Sequence, residues 1–386
     1  MLHPPAKRAK VDSESKTELA LGSAPGLSES PPSLIPSRRL VLQPREDFAT
    51  AQAQALHKKV YEETTMPPVV SVQKYSECWT LDKAMRFSNQ TKVGIDLATS
   101  NQDGKKYILK FASYEATSAE PFDKVRMSEL VREMLVNKFV LEKIGCQYFA
   151  RVEPAAFVLP CGLYMQMEYC QYQDLRELSD TDMSATERLR LISEAARGLD
   201  QLHTLGLVHF DVKLTNIGVS QDASGRKRAK LIDLGSTKVV GAQARPDDVL
   251  SGDTSTYRCP ELWVLRKHPL LPESQEYSVG PEVDMWALGF SMVRLLFNAY
   301  NGPWAHANAE DPDYSKFITT NRVGPDAVGR IERPPWLEFT HHQFQKGISR
   351  FVNFLAYNLL RVDRHSRMSA KTVADEIDKH LGNGGQ

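Results

Sequence analysis

Apolar and polar positions alternate over Lys92 to Thr99 and again over Lys105 to Phe111, with Asn101-Gln102-Asp103-Gly104 between them. This spacing predicts two strands joined as a hairpin. The period then changes. Val125, Met127, Leu130, Val131, Met134, Leu135, Phe139, Leu141 and Ile144 recur at helical spacing, and Gly145 is a natural stop, so one long helix follows. Two more apolar strands are predicted near Ala155 to Leu159 and Leu163 to Tyr169, completing a small sheet, before helical periodicity sets in from about Thr186 to Leu205. A strand-rich part is thus succeeded by a helix-rich one. Ahead of both, residues 1 to about 70 are poor in aromatics, rich in Pro, Ser, Glu and Ala, and broken at Pro4-Pro5, Pro31-Pro32 and Pro67-Pro68. Such a composition cannot bury enough surface to offset its ordering entropy. Gln52 to Glu63 is compatible with a short helix, but its apolar positions are too few for a domain. A disordered tail over 1–70 is expected, with the folded part beginning near Val69.

The chain has 386 residues with 48 basic and 48 acidic side chains, so no net charge steers it towards nucleic acid or anionic lipid. At one domain per roughly 150 residues, the length allows two or three compact units, or one two-lobed fold plus a tail. Cys78, Cys146, Cys161, Cys170 and Cys259 are odd in number and never spaced Cys-x-x-Cys, which suggests neither a disulfide framework nor a zinc site and points to a reducing compartment. No stretch reaches the roughly 18 apolar residues of a membrane span, so a soluble intracellular protein with no membrane partner is expected. Arg226-Lys227-Arg228-Ala229-Lys230 reads as a solvated hairpin tip in preference to a nucleic-acid contact.

The most informative segment is His209-Phe210-Asp211-Val212-Lys213-Leu214-Thr215-Asn216. A carboxylate on this loop can accept or orient a hydroxyl proton, a lysine two residues on can neutralise a transferring phosphate, and an amide oxygen five residues on can ligate Mg²⁺. A short strand then ends at Leu231-Ile232-Asp233-Leu234-Gly235, where Asp233 offers a second hard oxygen ligand. Alone, Asp-x-Lys-x-x-Asn is a weak signal, because polar loop residues are commonly turn formers.

In this order and spacing, however, residues 209–216 resemble the His-Arg-Asp catalytic loop of eukaryotic protein kinases, and Asp233-Leu234-Gly235 resembles their Asp-Phe-Gly metal motif. The resemblance implies an α+β, two-lobed fold over about residues 71–384. A five-stranded lobe with one helix (about 71–168) would precede a helical lobe (about 171–384), with ATP and Mg²⁺ between them. Asp211 and Lys213 would then be catalytic, and Asn216 and Asp233 would hold the metal. Tyr107-Ile108-Leu109-Lys110 looks like the strand carrying the nucleotide-anchoring lysine, paired to Glu133 on the long helix, with Glu129 one turn earlier as the alternative partner. Met165-Gln166-Met167-Glu168-Tyr169-Cys170 resembles the strand into the interlobe hinge, where Glu168 and Cys170 would present backbone to the adenine edge and Met167 would back the pocket, against plain core packing for both methionines. Asp174 would reach a ribose hydroxyl. Tyr257-Arg258-Cys259-Pro260-Glu261 resembles the end of an activation segment, with Thr254 placed to bond to Asp211 and Lys213. Asp284, Glu261 and Arg367 would be structural, and His209 a buried brace.

Two departures matter. The glycine-rich loop would fall at Phe87 to Val93, which contains no glycine, and nearby Gly94 does not restore the repeat, so Ser88, Asn89, Gln90 or Lys92 would have to replace its backbone contacts with side chains. Phe210 stands where most of the family has an arginine that receives an activation-loop phosphate, and a neutral ring cannot pair with a phosphate. Activity independent of phosphorylation between Asp233 and Glu261 is therefore expected, with Leu234 for Phe a neutral change. The function implied is serine/threonine protein kinase. The alternatives are a pseudokinase that binds nucleotide or acts as a scaffold and, less favoured because of Cys259-Pro260-Glu261 and Asp284, a small-molecule phosphotransferase. Pro5 to Asp12, with Lys7, Arg8 and Lys10, resembles a single-cluster nuclear localisation signal, implying an import receptor as partner and a nuclear location.

Overall fold

The computed structural model describes residues 48–87, 93–113, 124–159, 162–172, 174–179, 181, 183–244, 256–264, 277–297, 304, 310–320 and 346–383. The basic cluster at Lys7, Arg8 and Lys10 lies outside them. The first helix, α1 (Ala51–Lys58), begins where the Thr50 hydroxyl accepts a bond from the Ala53 N–H at 3.1 Å, and it runs into a π-helical turn at Lys59–Glu63. Ala53, His57, Val60 and Tyr61 are buried, so the folded part starts well before Val69, contrary to the expectation from composition. The physical reason is their spacing. Ala53, Leu56, His57, Val60 and Tyr61 form one helical stripe, and so few positions suffice when they pack on a core built by the rest of the chain.

Strand β1 (Val69–Ser71), helix α2 (Tyr75–Cys78), and strands β2 (Trp79–Phe87), β3 (Val93–Ser100) and β4 (Lys106–Ser113) lead to helix α3 (Lys124–Ile144). Strands β5 (Val152–Leu159) and β6 (Gly162–Glu168) complete a six-stranded sheet of order β1-β5-β6-β4-β3-β2. Five strands were expected; the sixth is β1, which pairs parallel to β5 with Val69 opposite Ala156. The β3–β4 hairpin has Ile95 opposite Lys110 and turns at Gly104, whose φ of +70° suits glycine. Strand β2 escapes the alternation test because two register shifts, between Leu81 and Lys83 and between Ala84 and Arg86, interrupt its period, and Leu81 is 51% exposed. Ser88, Asn89, Gln90 and Lys92 lie outside the described residues. Gly94 makes room for the Phe111 ring, since a Cβ there would fall 2.1 Å from it. Leu130, Val131, Met134 and Leu135 of α3 pack with Met165 and Met167 of β6, so both methionines are core residues, while Trp79, Leu109 and Tyr164 fill a second cluster.

The helical part follows: α4 (Leu175–Ser179), α5 (Ala185–Thr204), β7 (Leu207–Val208), β8 (Ile217–Gln221), β9 (Lys227–Leu231), β10 (Lys238–Val239), β11 (Gln243–Ala244), α6 (Pro260–Val264), β12 (Tyr277–Ser278), α7 (Glu282–Phe297), α8 (Pro312–Thr320), α9 (Lys346–Leu359) and α10 (Ala370–Asn383). Helix α5 starts at Ser184, whose hydroxyl accepts the Glu187 N–H at 3.2 Å. Its apolar face joins those of α7, α9 and α10 in one core around Trp286 and Phe290. The architecture is α+β, with a sheet-bearing part followed by a helical part. In the basic run, Lys227 meets Glu187 at 3.0 Å, Arg228 meets Glu194 at 3.2 Å and Lys230 meets Glu168 at 2.7 Å, so these cations are engaged within the chain. No helix among the described residues is long and apolar enough to cross a membrane.

Helices α7 and α9 meet at Gly289, where a Cβ would lie 2.7 Å from the Leu359 Cβ. Alanine there gains about 1 kcal/mol of helix propensity, but crowding a β-carbon that cannot swing aside costs about 1–3 kcal/mol. Gly289→Ala is therefore expected to lower the unfolding free energy by about 1 kcal/mol in urea titrations, and an increase would show that the two helices part freely.

Candidate active site

Asp284, in the first turn of α7, is fully buried and organises the 209–216 loop. Its Oδ1 accepts the Phe210 N–H at 2.8 Å, while Oδ2 accepts the His209 N–H at 2.8 Å and lies 2.9 Å from His203 Nε2. A buried carboxylate is tolerated only with such donors, and the helix N-terminus adds to them. The two amide bonds hold Phe210 at φ +66°, a left-handed conformation that non-glycine residues rarely adopt. His209 is fully buried, its Nε2 lying 3.1 Å from the Ile232 carbonyl, and so braces this loop against the strand leading to Asp233.

Within the loop, Asp211 Oδ2 accepts from Lys213 Nζ at 2.8 Å and from Asn216 Nδ2 at 2.9 Å. Asn216 Nδ2 also reaches the Asp211 carbonyl at 2.8 Å. Engaging the amide nitrogen in this way leaves Asn216 Oδ1 as an acceptor. Asp211 Oδ1 is buried with no partner among the described residues, a position suited to an incoming hydroxyl. The Ile232 N–H donates to the Asn216 carbonyl at 3.0 Å, which stitches this loop to the one bearing Asp233.

Asp233 has φ +61°, and its carboxylate, 42% exposed, accepts from Lys110 Nζ at 2.8 Å. Lys110 also lies 2.7 Å from Glu133 Oε2 of α3, whose side chain is only 3% exposed. Of the two candidate glutamates Glu133 makes this pair, and the Glu129 side chain lies outside the described residues. Burial alone would push the Asp233 carboxyl up, but the Lys110 charge and hydrogen bond, with Lys213 and His209 beyond, hold it down at about 2. Burial likewise opposes charge on Lys110, and the two carboxylates reverse this and keep it protonated. Glu133 is pushed up to about 7 by burial, with Asp233 adding to the shift and Lys110 opposing it. Asn216 Oδ1 and Asp233 offer two hard oxygen donors near a lysine, a set that fits a divalent cation completed by phosphate oxygens. Among the described residues no cluster of three His, Cys, Asp or Glu side chains makes a metal site by itself.

The hinge side chains turn elsewhere. Glu168 Oε2 accepts from Lys230 Nζ at 2.7 Å and from the Arg151 N–H at 3.0 Å, and the Glu168 N–H donates to the Arg151 carbonyl at 2.7 Å. The Cys170 thiol is buried against Gly218, and burial, aided by Glu168, pushes it up to about 12. Asp174 caps α4, its Oδ1 accepting the Arg176 and Glu177 N–H groups at 2.9 and 3.0 Å. Farther away, Arg367 clasps Glu261 through its two terminal guanidinium nitrogens, at 2.5 and 2.7 Å. Thr254 lies outside the described residues. Sequence reasoning missed Tyr61, whose hydroxyl donates to the Thr237 carbonyl at 2.9 Å beyond the Asp233 turn; the stripe from Ala53 to Tyr61 was the signal that could have found it.

The family model of the protein kinase domain matches residues 94–377, well over half of the chain. Serine/threonine-protein kinase SBK1 of Danio rerio is 27% identical over 290 residues, covering 75% of this chain and 64% of that protein. Serine/threonine-protein kinase SBK2 of Homo sapiens is 32% identical over 195 residues, covering 50% of this chain and 47% of that protein. Serine/threonine-protein kinase PKH1 of Saccharomyces cerevisiae is 24% identical over 357 residues, covering 87% of this chain and 40% of that protein. The chain thus spans between 40% and 64% of the length of these relatives.

The Glu133 shift has a measurable sign. Its folded-state value of about 7 lies above the ordinary 4.5, so its contribution to stability is fully present below 4.5 and is lost as pH rises through 7. Urea unfolding of the parent should show this decline between pH 5 and 8 on top of the slope from other groups, whereas Glu133→Gln, which cannot titrate, should show the residual slope alone. Parallel slopes for the two proteins would refute the assignment.

Proposed function

The chain belongs to the protein kinase family, and from that premise we propose that it transfers the γ-phosphoryl group of ATP to serine or threonine hydroxyls of protein substrates. The observation that carries this reading is the meeting of Lys110, Glu133 and Asp233 within 2.8 Å, tied by the Ile232–Asn216 bond to the loop that holds Asp211. Mg²⁺, when bound, would supply Lewis-acid stabilisation of phosphate charge. Asn216 Oδ1 and Asp233 would hold the metal, and Lys110, kept charged by its carboxylates, would anchor the α- and β-phosphates. Asp211 Oδ1 would orient the acceptor hydroxyl and take its proton, while Lys213, held by Asp211 Oδ2, would offset charge on the moving group. Backbone of Glu168 and Cys170 would face adenine, and Asp174 would offer Oδ2 to the ribose.

We further infer that the site works without phosphate on the segment between Asp233 and Glu261. Lys238 Nζ lies 5.5 Å from the Phe210 ring centroid, and this cation–π contact supports the reading. A second reading, a nucleotide-binding scaffold without transfer, is favoured by the absence of glycine from Phe87 to Val93.

Incubation of phosphatase-treated protein with labelled ATP, Mg²⁺ and a generic acceptor separates the two. The parent should transfer label; Asp211→Asn should lose roughly 100-fold or more in rate while still binding nucleotide; and Asp233→Asn should lose Mg²⁺-dependent nucleotide binding as well. An inactive parent would favour the scaffold, and equal rates for parent and Asp211→Asn would remove Asp211 from the chemistry. We also propose nuclear import through Lys7, Arg8 and Lys10. Changing all three to alanine should abolish nuclear accumulation of a tagged full-length chain, and unchanged accumulation would contradict it.

A further inference from the structure

Residues 48–63 touch both elements that supply carboxylates to Lys110. Phe48 bridges Ala242, and the Ala49 N–H donates to the Gly241 carbonyl at 2.9 Å. Gly241 has φ +88°, and a Cβ there would come within 3.1 Å of the Ala53 Cβ, so α1 seats where a side chain would crowd it. The same holds at Gly206, just ahead of β7, where a Cβ would fall 2.7 Å from Leu56. The His57 ring lies between Phe48 and Tyr61, with centroids 5.0 and 4.7 Å away. The hydroxyl of Tyr61 donates to the Thr237 carbonyl at 2.9 Å, just past the turn Leu234–Ser236. Its ring receives the Arg132 guanidinium at 4.6 Å, and Arg132 adjoins Glu133 on α3. One buried side chain therefore contacts the helix that carries Glu133 and the segment that follows Asp233.

We propose that Tyr61 is a positioning residue for the phosphoryl transfer: it ties α3 to the 234–242 stretch and so sets Glu133 and Asp233 on Lys110. A phosphate on the later segment is then not needed to assemble the site. The effect on rate rests on the transfer reading above; the tie between the two elements does not.

The test uses the full chain with Tyr61→Ala and Tyr61→Phe, read by hydrogen–deuterium exchange and by steady-state kinetics. Tyr61→Ala should raise exchange roughly ten-fold in residues 130–136 and 234–242, since it removes both a buried hydrogen bond and a cation–π contact, and should leave α7 and α10 unchanged. It should lower kcat by a similar factor with KM for the acceptor unmoved. Tyr61→Phe keeps the ring over Arg132, so it should recover most of the protection in α3 and part of kcat, while exchange at 237–242 stays raised roughly three-fold. If Tyr61→Ala also loses protection in α7, it has unfolded, and the phenylalanine variant decides alone. Unchanged exchange in 234–242 for both variants would overturn the proposal, as would raised exchange with parental kcat. A parent without transfer activity would overturn the functional reading and the kinetic claim with it, and exchange would still decide whether Tyr61 joins the two elements.

Discussion

A single ammonium group between two carboxylates constrains most of this molecule. Lys110 is held between Glu133 and Asp233, and removing it would leave the buried Glu133 without its counter-charge, a loss of about 3–5 kcal/mol for an unpaired buried charge. Strand β4 must therefore hold its register between β3 and β6, so that Lys110 falls opposite Ile95 and Met165. Helix α3 must keep its phase, and the packing of Met134 and Leu135 against Met165 and Met167 secures it. The two acids respond differently to their shared partner. The more open Asp233 stays ionised, whereas Glu133, enclosed by protein, is the one whose proton lies within reach of ordinary pH.

The other end of the site is held by a buried anion instead of a buried cation. Asp284 gathers two adjacent amides and a histidine, and this suffices to keep Phe210 in a backbone conformation that it would not choose alone. That distortion sets the direction of the chain into Asp211. With the Asn216–Ile232 bond it joins the two acidic loops into one piece, so the backbone spacing between Asp211 and Asp233 is set by hydrogen bonds to peptide groups.

Elements with an uninterrupted period were readable from the amino-acid order: the β3–β4 hairpin, α3 to its stop at Gly145, and α5. The two-residue strands β7 and β10 were not, because pairs so short carry no periodicity and exist only through their partners. Strand β2 was hidden by its register shifts. Composition assigns the 48–63 segment to the tail, with at most a short helix at Gln52 to Glu63, because the surface it covers is built by residues far away in sequence. In the site, the loop motif marks Asp211, Lys213 and Asn216 as neighbours, and the structure brings them together, since their spacing is set by one turn of backbone. Choosing Glu133 over Glu129 required the rotation of a helix about its axis, which only packing decides. Asp174 carried a capping signature with Glu177 three residues on, and that local role is the one its Oδ1 serves.

The bond from Tyr61 to Thr237 closes a loop of 176 residues. During synthesis the segment that makes it leaves the ribosome before either lobe, yet the groove it fills does not exist until the residues around 237–242 have followed. At about 5–20 residues per second, that is a wait of roughly 10–35 seconds. Through that interval the apolar stripe from Ala53 to Tyr61 can meet only α3, and its cover stays incomplete until the later segment arrives.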